Sequence, residues 1–301
     1  MKNTILKLAA VIVLIMLITG CAKVLVVPQH LTLDGFLDVL KVVVVGVFVG
    51  FLGTMIGAGG GFLLVPILLI FYKFTPQHAI GTSTAVVFLN ALSGTFSYID
   101  QKRIDYELGV KFSVIAVVGV IIGAFLTQAL NFLVFSVIFS VLLIALSYSM
   151  IFMEDFSLIC EKNLERPKKR VLYDSYGQTH TYAPDLSVGF GGSFIVGILS
   201  GLLGIGGGLL HVPLMGFIGI PIHVAAATSH FIIVITSFFG VLAFIGFHTI
   251  DFDYAIFIGV GTILGALFGA KAAKRTNGEV IKKIIAFLLI FMALKLLLNL
   301  R

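Results

Sequence analysis

Charge is what this sequence is short of. Asp, Glu, Lys and Arg make up 11% of its 301 residues, against about 25% in a soluble domain. So few charges cannot cover a water-facing surface, which excludes a soluble enzyme. Cysteine is scarce as well. Cys21 and Cys160 are the only two, and neither lies in a CxxC pair, so a disulfide framework, a zinc knuckle and an iron–sulfur site have no support. No G-K-[ST] occurs, hence no P-loop, and no H-E-x-x-H occurs, hence no zincin motif. Sustained polar–apolar alternation is missing too, which argues against a β-barrel. The net charge of +6 does not point to nucleic acid, because the basic residues sit at the ends of apolar runs, as the positive-inside rule expects.

What is present is apolar. Hydrophobic residues make up 59% of the chain and the mean hydropathy is +1.14. They come in long runs such as Ile115–Gly123 and Val134–Leu146. Runs of about 20 residues match the bilayer core at 1.5 Å of rise per residue, and in lipid they must be helical to satisfy their own backbone. About eleven segments can be drawn. One is N-terminal; five lie near 37–56, 62–74, 78–99, 107–128 and 132–153; five more lie near 188–205, 209–220, 223–247, 254–273 and 280–299. This sets out an all-α integral membrane protein: an N-terminal stretch 1–36, a first repeat 37–153, a polar loop 154–187 and a second repeat 188–301. The N-terminal stretch has two readings. Ile18-Thr19-Gly20-Cys21 resembles a lipoprotein signal cleaved before Cys21. The other reading is an uncleaved helix from Ile5 to about Val27.

The two sets of five are copies. Gly57-Ala58-Gly59-Gly60-Gly61-Phe62-Leu63-Leu64-Val65-Pro66 returns as Gly204-Ile205-Gly206-Gly207-Gly208-Leu209-Leu210-His211-Val212-Pro213. Gly81-Thr82-Ser83 returns as Ala227-Thr228-Ser229, Ile104-Asp105 as Ile250-Asp251, and Gly119 to Ala124 as Gly261 to Ala266. Five crossings is an odd number, so the copies should be inverted. Charge agrees: the basic loops hold Lys102 and Arg103 in the first copy but Lys271, Lys274, Arg275, Lys282 and Lys283 in the second, one loop further on. With Arg166–Arg170 they should face the cytoplasm.

Each G-x-G-G-G ends a segment long enough to cross and begins one of about a dozen residues, roughly 18 Å, which is too short to cross alone. The helix should therefore break inside the membrane, exposing amides at the positive end of the short helix. Paired breaks in inverted halves are the best sequence pointer to a transport site. Gly59, Gly60, Gly61, Gly206, Gly207 and Gly208 are therefore candidate binding residues, and they should face one another across a central polar cavity. Tight packing through small residues is the bland alternative. Thr82, Ser83, Thr228, Ser229 and His230 join them as hydroxyl and imidazole ligands able to hold an anion; Asn90 and Thr236 are weaker candidates. His211, His223 and His230 lack a Cys or carboxylate to complete a metal site, and neither metal nor cofactor is expected. The segments 78–99, 209–220 and 223–247 hold no Asp, Glu, Lys or Arg, so an anion would be held by dipoles, hydroxyls and histidine.

The doubled G-x-G-G-G-x-L-x-V-P motif, followed by G-T-S in one half and A-T-S-H-F in the other, resembles the sulfite exporter TauE/SafE family over roughly residues 37–301, apart from the 154–187 loop. The resemblance implies a multi-pass permease of the cell membrane. Its partners would be the lipid bilayer and a small anionic solute such as sulfite or a sulfonate. Alternating access between the halves is the expected mechanism. An uncoupled anion channel is the main alternative and an intramembrane enzyme a distant one. Oligomeric state is not set by the sequence.

Overall fold

The structure is a computed structural model and describes residues 33–152, 169–272 and 278–298. The N-terminal segment with Cys21, and Arg166–Lys168 of the basic cluster, lie outside the described residues. Five helices form the first half: α1 (Leu33–Ile56), α2 (Gly61–Ile70), α3 (Pro76–Gln101), α4 (Tyr106–Thr127) and α5 (Phe132–Phe152). The second half repeats them as α6 (Leu186–Leu203), α7 (Gly208–Phe217), α8 (Ile222–Gly246), α9 (Phe252–Ala272) and α10 (Gly278–Leu298). Each begins and ends within a few residues of its apolar segment. Asp105 and Asp185 cap α4 and α6, accepting from the Leu108 amide and from the Ser187 and Val188 amides. Among the described residues, six of these helices are long and apolar enough to cross a membrane. The short pair, α2 and α7, are ten residues each.

Helix directions follow from who touches whom. Gly46 of α1 faces Ile258 and Gly261 of α9, Gly50 faces Thr262, Val47 faces Gly265 and Phe51 faces Gly269. Numbers rise together, so α1 and α9 are parallel. The matching pair behaves identically: Gly197 and Gly201 of α6 meet Ala116 and Val120 of α4, while Gly119 and Gly123 of α4 meet Phe194 and Ile198. A Cβ on any of these glycines would strike the partner's backbone. Small residues four apart give this close approach, which carries helix association where lipid removes the hydrophobic drive. The first helix of each half is thus packed on the fourth helix of the other.

Two further equivalent pairs, α3 with α8 and α5 with α10, pack on each other and run antiparallel. Phe88 of α3 lies by Phe238 of α8 and Tyr98 by His230, with ring centroids 6.0 and 5.2 Å apart. Ser140 and Ser147 of α5 donate to Ala293 and Ala286 of α10, at 3.3 and 3.0 Å. Equivalent helices that run antiparallel are related by a two-fold axis perpendicular to them. The halves are therefore inverted, with the axis parallel to the plane of a bilayer these helices cross. α3 runs with α9, since Leu89 meets Gly259 and Ser93 donates to Ile263. So Lys102, Arg103 and Lys271 lie at one end of the bundle, and the turns 128–131 and 247–251 at the other.

The 154–187 stretch holds structure that its polarity did not suggest. β1 (Arg170–Tyr173) and β2 (Thr179–Tyr182) pair as an antiparallel hairpin, Arg170 opposite Tyr182. It docks on the α3–α4 turn. The Ser175 amide donates to Gln101, Arg103 pairs with Asp174 at 2.9 Å and lies over the Tyr176 ring, and Arg170 pairs with Asp105 at 2.7 Å.

Candidate binding site

Both breaks have the backbone that only their sequence permits cheaply. Gly57, Gly59 and Gly60 have φ of 83°, 76° and 84°; Gly204, Gly206 and Gly207 have 68°, 73° and 76°. In this left-handed region a side chain is strained and glycine is not. The chain turns back on itself, the Ala58 and Gly59 amides both donating to Gly53 at 2.8 and 3.2 Å. It then re-enters helix behind a glycine N-cap that offers no side-chain acceptor. The Leu63 and Leu64 amides find the Gly60 carbonyl, and those of Leu210 and His211 find Gly207. The amides of Gly61, Phe62, Gly208 and Leu209 have no backbone acceptor among the described residues. Two positive helix ends are therefore aimed inward with donors to spare.

The breaks lie side by side and antiparallel. Gly61 abuts Gly204 and Ile205, and Gly208 abuts Gly57 and Ala58. Val87 from the middle of α3 and Ile233 from the middle of α8 press on both Gly59 and Gly206. The glycines thus meet at mid-depth of the longest helices. In place of an open polar cavity there is direct contact, filled by two apolar side chains with 0% exposure.

The Thr–Ser pairs clamp this arrangement crosswise. Ser83 donates to the Gly204 carbonyl at 2.9 Å and Ser229 to the Gly57 carbonyl at 3.3 Å. The Thr82 hydroxyl accepts the Asp251 amide at 2.9 Å, and the Thr228 hydroxyl accepts the Asp105 amide at 3.0 Å. Each half thereby holds the other's break and the other's α3–α4 or α8–α9 turn. Asn90 proves closer to the break than its weak sequence signal suggested: its amide donates to the Gly59 carbonyl at 2.9 Å and its oxygen accepts from Thr54 at 3.1 Å. The Tyr98 hydroxyl donates to the Thr54 carbonyl. Thr236, in the matching place, bonds among the described residues only to its own helix. His230 is fully buried against Tyr98 and Gly94, and neither ring nitrogen has a partner among the described residues. His211 sits on α7 with Nδ1 by the Gly207 carbonyl, while His223 lies in the first turn of α8, away from the breaks. No cluster of His, Cys, Asp or Glu among the described residues could hold a metal. Thr54, Tyr98, Val87, Ile233 and Asp105 escaped sequence reasoning. Only Asp105 carried a signal, as part of the repeated Ile-Asp pair.

A cavity of about 1060 Å³ lies at the basic end, between the hairpin and the starts of α4 and α6, with Asp105, Glu107, Arg170 and Tyr182 among its lining residues. Asp105 accepts from Arg170 and from the Tyr182 hydroxyl at 2.7 Å. Glu107 pairs with Lys111 and with Arg170. Burial alone would raise Asp174, but the Gln178 and Tyr176 amides and Arg103 overcome it and hold the carboxyl well below its ordinary range.

The sulfite exporter TauE/SafE family profile matches residues 42–296. The chain is 35% identical to the probable membrane transporter protein YunE of Bacillus subtilis over 263 residues, 85% of this chain and 96% of the relative. It is 30% identical to a probable membrane transporter protein of Methanocaldococcus jannaschii, over 71% of this chain and 75% of that one. The probable membrane transporter protein YdhB of Bacillus subtilis is 28% identical over 83% of this chain and 94% of its own length. No solved structure matches.

Proposed function

The chain belongs to the sulfite exporter TauE/SafE family of membrane transporters, and from that premise we propose that it carries a small sulfur-containing or organic anion, sulfite or a sulfonate, across the cell membrane by alternating access. One observation carries the reading. Two inward-aimed helix N-termini meet at mid-depth on a two-fold axis, and oriented amides are a ready anion site. Gly59, Gly60, Gly61, Gly206, Gly207 and Gly208 line it, with Thr82, Ser83, Thr228, Ser229 and His230 around them. In the described conformation Val87 and Ile233 close the site. The halves 37–153 and 188–301 are the moving bodies, and motion that withdraws those two side chains admits the anion from one face at a time. The loop 154–187 and the basic end face the cytoplasm. A carrier accounts for a closed, crosswise-clamped centre better than a pore does.

The test is purified protein in liposomes, screened with labelled sulfite, sulfate, thiosulfate and small sulfonates. Saturable uptake with counterflow is expected for sulfite or a sulfonate. Flux that rises without saturating would establish a channel, and no flux of any of these would refute the substrate class.

A further inference from the structure

We propose that His230 binds a proton together with the transported anion, so that the carrier moves the two as a pair; this rests on the transport reading above. His230 follows the Thr228–Ser229 clamp on α8 and is 0% exposed. Its ring occupies a slot made for it. A Cβ on Gly94 of α3 would come within 2.6 Å of Cδ2 and 2.8 Å of Nε2, so only glycine leaves room there. Tyr98 closes the slot on one side, and the Thr54 methyl lies alongside Gly94. Neither Nδ1 nor Nε2 has a hydrogen-bond partner among the described residues. The carbonyls of Ala226 and Gly57 lie near the ring without bonding geometry. A buried polar group without a partner is unfavourable and rare. One fitted so closely, beside the break whose Gly57 carbonyl Ser229 already holds, points to a partner that comes and goes.

The surroundings say which partner. From α3 the titratable neighbour is Tyr98, whose hydroxyl is committed to Thr54; Arg103, past the end of α3, is within electrostatic reach of Tyr98 but is paired with Asp174, and from α7 comes His211, set by the Gly207 carbonyl. From α1 come Thr54 and glycines, with no titratable side chain near the break. From α4 the nearest charge is Asp105, whose amide is held by Thr228 and whose carboxylate is engaged by Arg170 and Tyr182. On α8 itself His223 lies two turns away at the hairpin end. An anion entering at the breaks therefore finds amides and hydroxyls but no permanent cation. In a water-poor site a nearby anion favours the charged imidazolium. The imidazole lone pair takes the proton from water on the loading side, the N–H then donates to an anion oxygen, and the proton returns to water as the anion leaves. The matching residue of the first half is Thr84, whose hydroxyl is spent on Ile80 at 2.8 Å. One half carries the titratable group, so one proton accompanies each anion.

The test uses methanesulfonate, an acid too strong to carry a proton itself. Wild-type liposomes are first required to exchange labelled sulfite against methanesulfonate at equal pH on both sides. Failure with methanesulfonate alone moves the test to thiosulfate, which is likewise too strong an acid to carry a proton near neutral pH; failure of every screened anion to exchange refutes the transport reading, and this inference falls with it. Where exchange occurs, methanesulfonate, or thiosulfate in its place, is added to wild-type protein in weakly buffered detergent near neutral pH with an indicator dye. Uptake of about one proton per chain at saturation is expected, lost in His230→Gln and kept in His211→Gln. Wild-type protein that exchanges the anion yet takes up no proton overturns the inference while leaving transport standing. Uptake that survives in His230→Gln, or that disappears in His211→Gln instead, overturns it as well.

Discussion

The turn from α3 to α4 and the turn from α8 to α9 hold matching places in the two halves, and they are finished differently. At the first, the Asp105 amide reaches across to Thr228, and its carboxylate caps Leu108 and takes Arg170 and Tyr182 from the hairpin. At the second, the Asp251 amide reaches across to Thr82 and its carboxylate caps Tyr254, with no hairpin over it among the described residues. The inherited part, an aspartate whose amide clips onto the other half's threonine, is the same. The part that differs is a strap of ion pairs, seen among the described residues at the first turn and not at the second. Two halves that are copies would open to either side at equal cost. Among the described residues, Arg170–Asp105 and Arg103–Asp174 tie down the turn at the basic end, whereas the turn at the other end is tied by hydrogen bonds.

The comparison is most easily broken at the glycine caps, where the largest effects are expected. Gly60 and Gly207 share a left-handed backbone, so alanine at either costs about 1–2 kcal/mol from conformation. At Gly207 the new Cβ would rest 3.3 Å from Ser200 and His211; at Gly60 it would come within 2.9 Å of the Val49 carbonyl. Overpacking of that kind adds about 1–3 kcal/mol. Gly60→Ala is thus expected to lower the melting temperature in detergent clearly more than Gly207→Ala, and equal losses would show that the first break has room to relax.

Next come the two turns. Arg170→Ala leaves the buried Asp105 carboxylate short of its charged donor, a loss of about 1.5–3 kcal/mol for a hydrogen bond to a charged group, reduced by the partial exposure of Arg170. Asp251→Asn keeps most of its cap, and its cost is expected to stay under about 1 kcal/mol. Protease sensitivity of the 170–182 hairpin reads the first and thermal unfolding the second. A hairpin that stays resistant in Arg170→Ala would mean that Arg103, the Ser175 amide and the Tyr182 hydroxyl suffice to hold it.

The strap should also be indifferent to mild acid. The folded Asp174 carboxyl lies below its ordinary range, so its contribution is complete above the unfolded value near 4 and fades only as the pH falls through the depressed folded value. Amide-exchange protection across 170–182 is expected to hold from about pH 8 to about pH 5, and a decline within that window would contradict the Asp174 anchor. The smallest effects belong to the crosswise threonines. Thr82→Val and Thr228→Val each leave an aspartate amide unpaired, half-buried at Asp251 and buried at Asp105, for about 1 kcal/mol, and the two should match within error in thermal unfolding, because this is the part the halves share.

The helices were legible because lipid imposes one rule on every spanning residue, so boundaries such as those of α4 and α9 fall where apolar runs end. The breaks were legible because no residue but glycine tolerates three left-handed positions in so short a stretch. The Thr-Ser pairs were picked out for their hydroxyls, yet those hydroxyls prove to be directed at carbonyls and amides of the other half, a partnership that local sequence does not encode. Val87 and Ile233 were invisible for the same reason: a valine and an isoleucine in an apolar run look like any other. The hairpin was missed because Arg103 and Asp174 make sense only once 71 residues of chain bring them together.

The exchange of helices, α1 lying on α9 and α6 on α4, reaches beyond the finished molecule into its biosynthesis. The glycine face of α1 is complete when α1 leaves the ribosome, but its parallel partner is made roughly 220 residues later, on the order of 10–40 s at 5–20 residues per second. Until then the emerging first half holds an unmatched groove in the bilayer. α4 waits for α6 a much shorter time. Membrane insertion and final assembly are therefore separate events in this chain: the pair that flanks the first break, α1 with α9, closes late, and α5 with α10 closes later still.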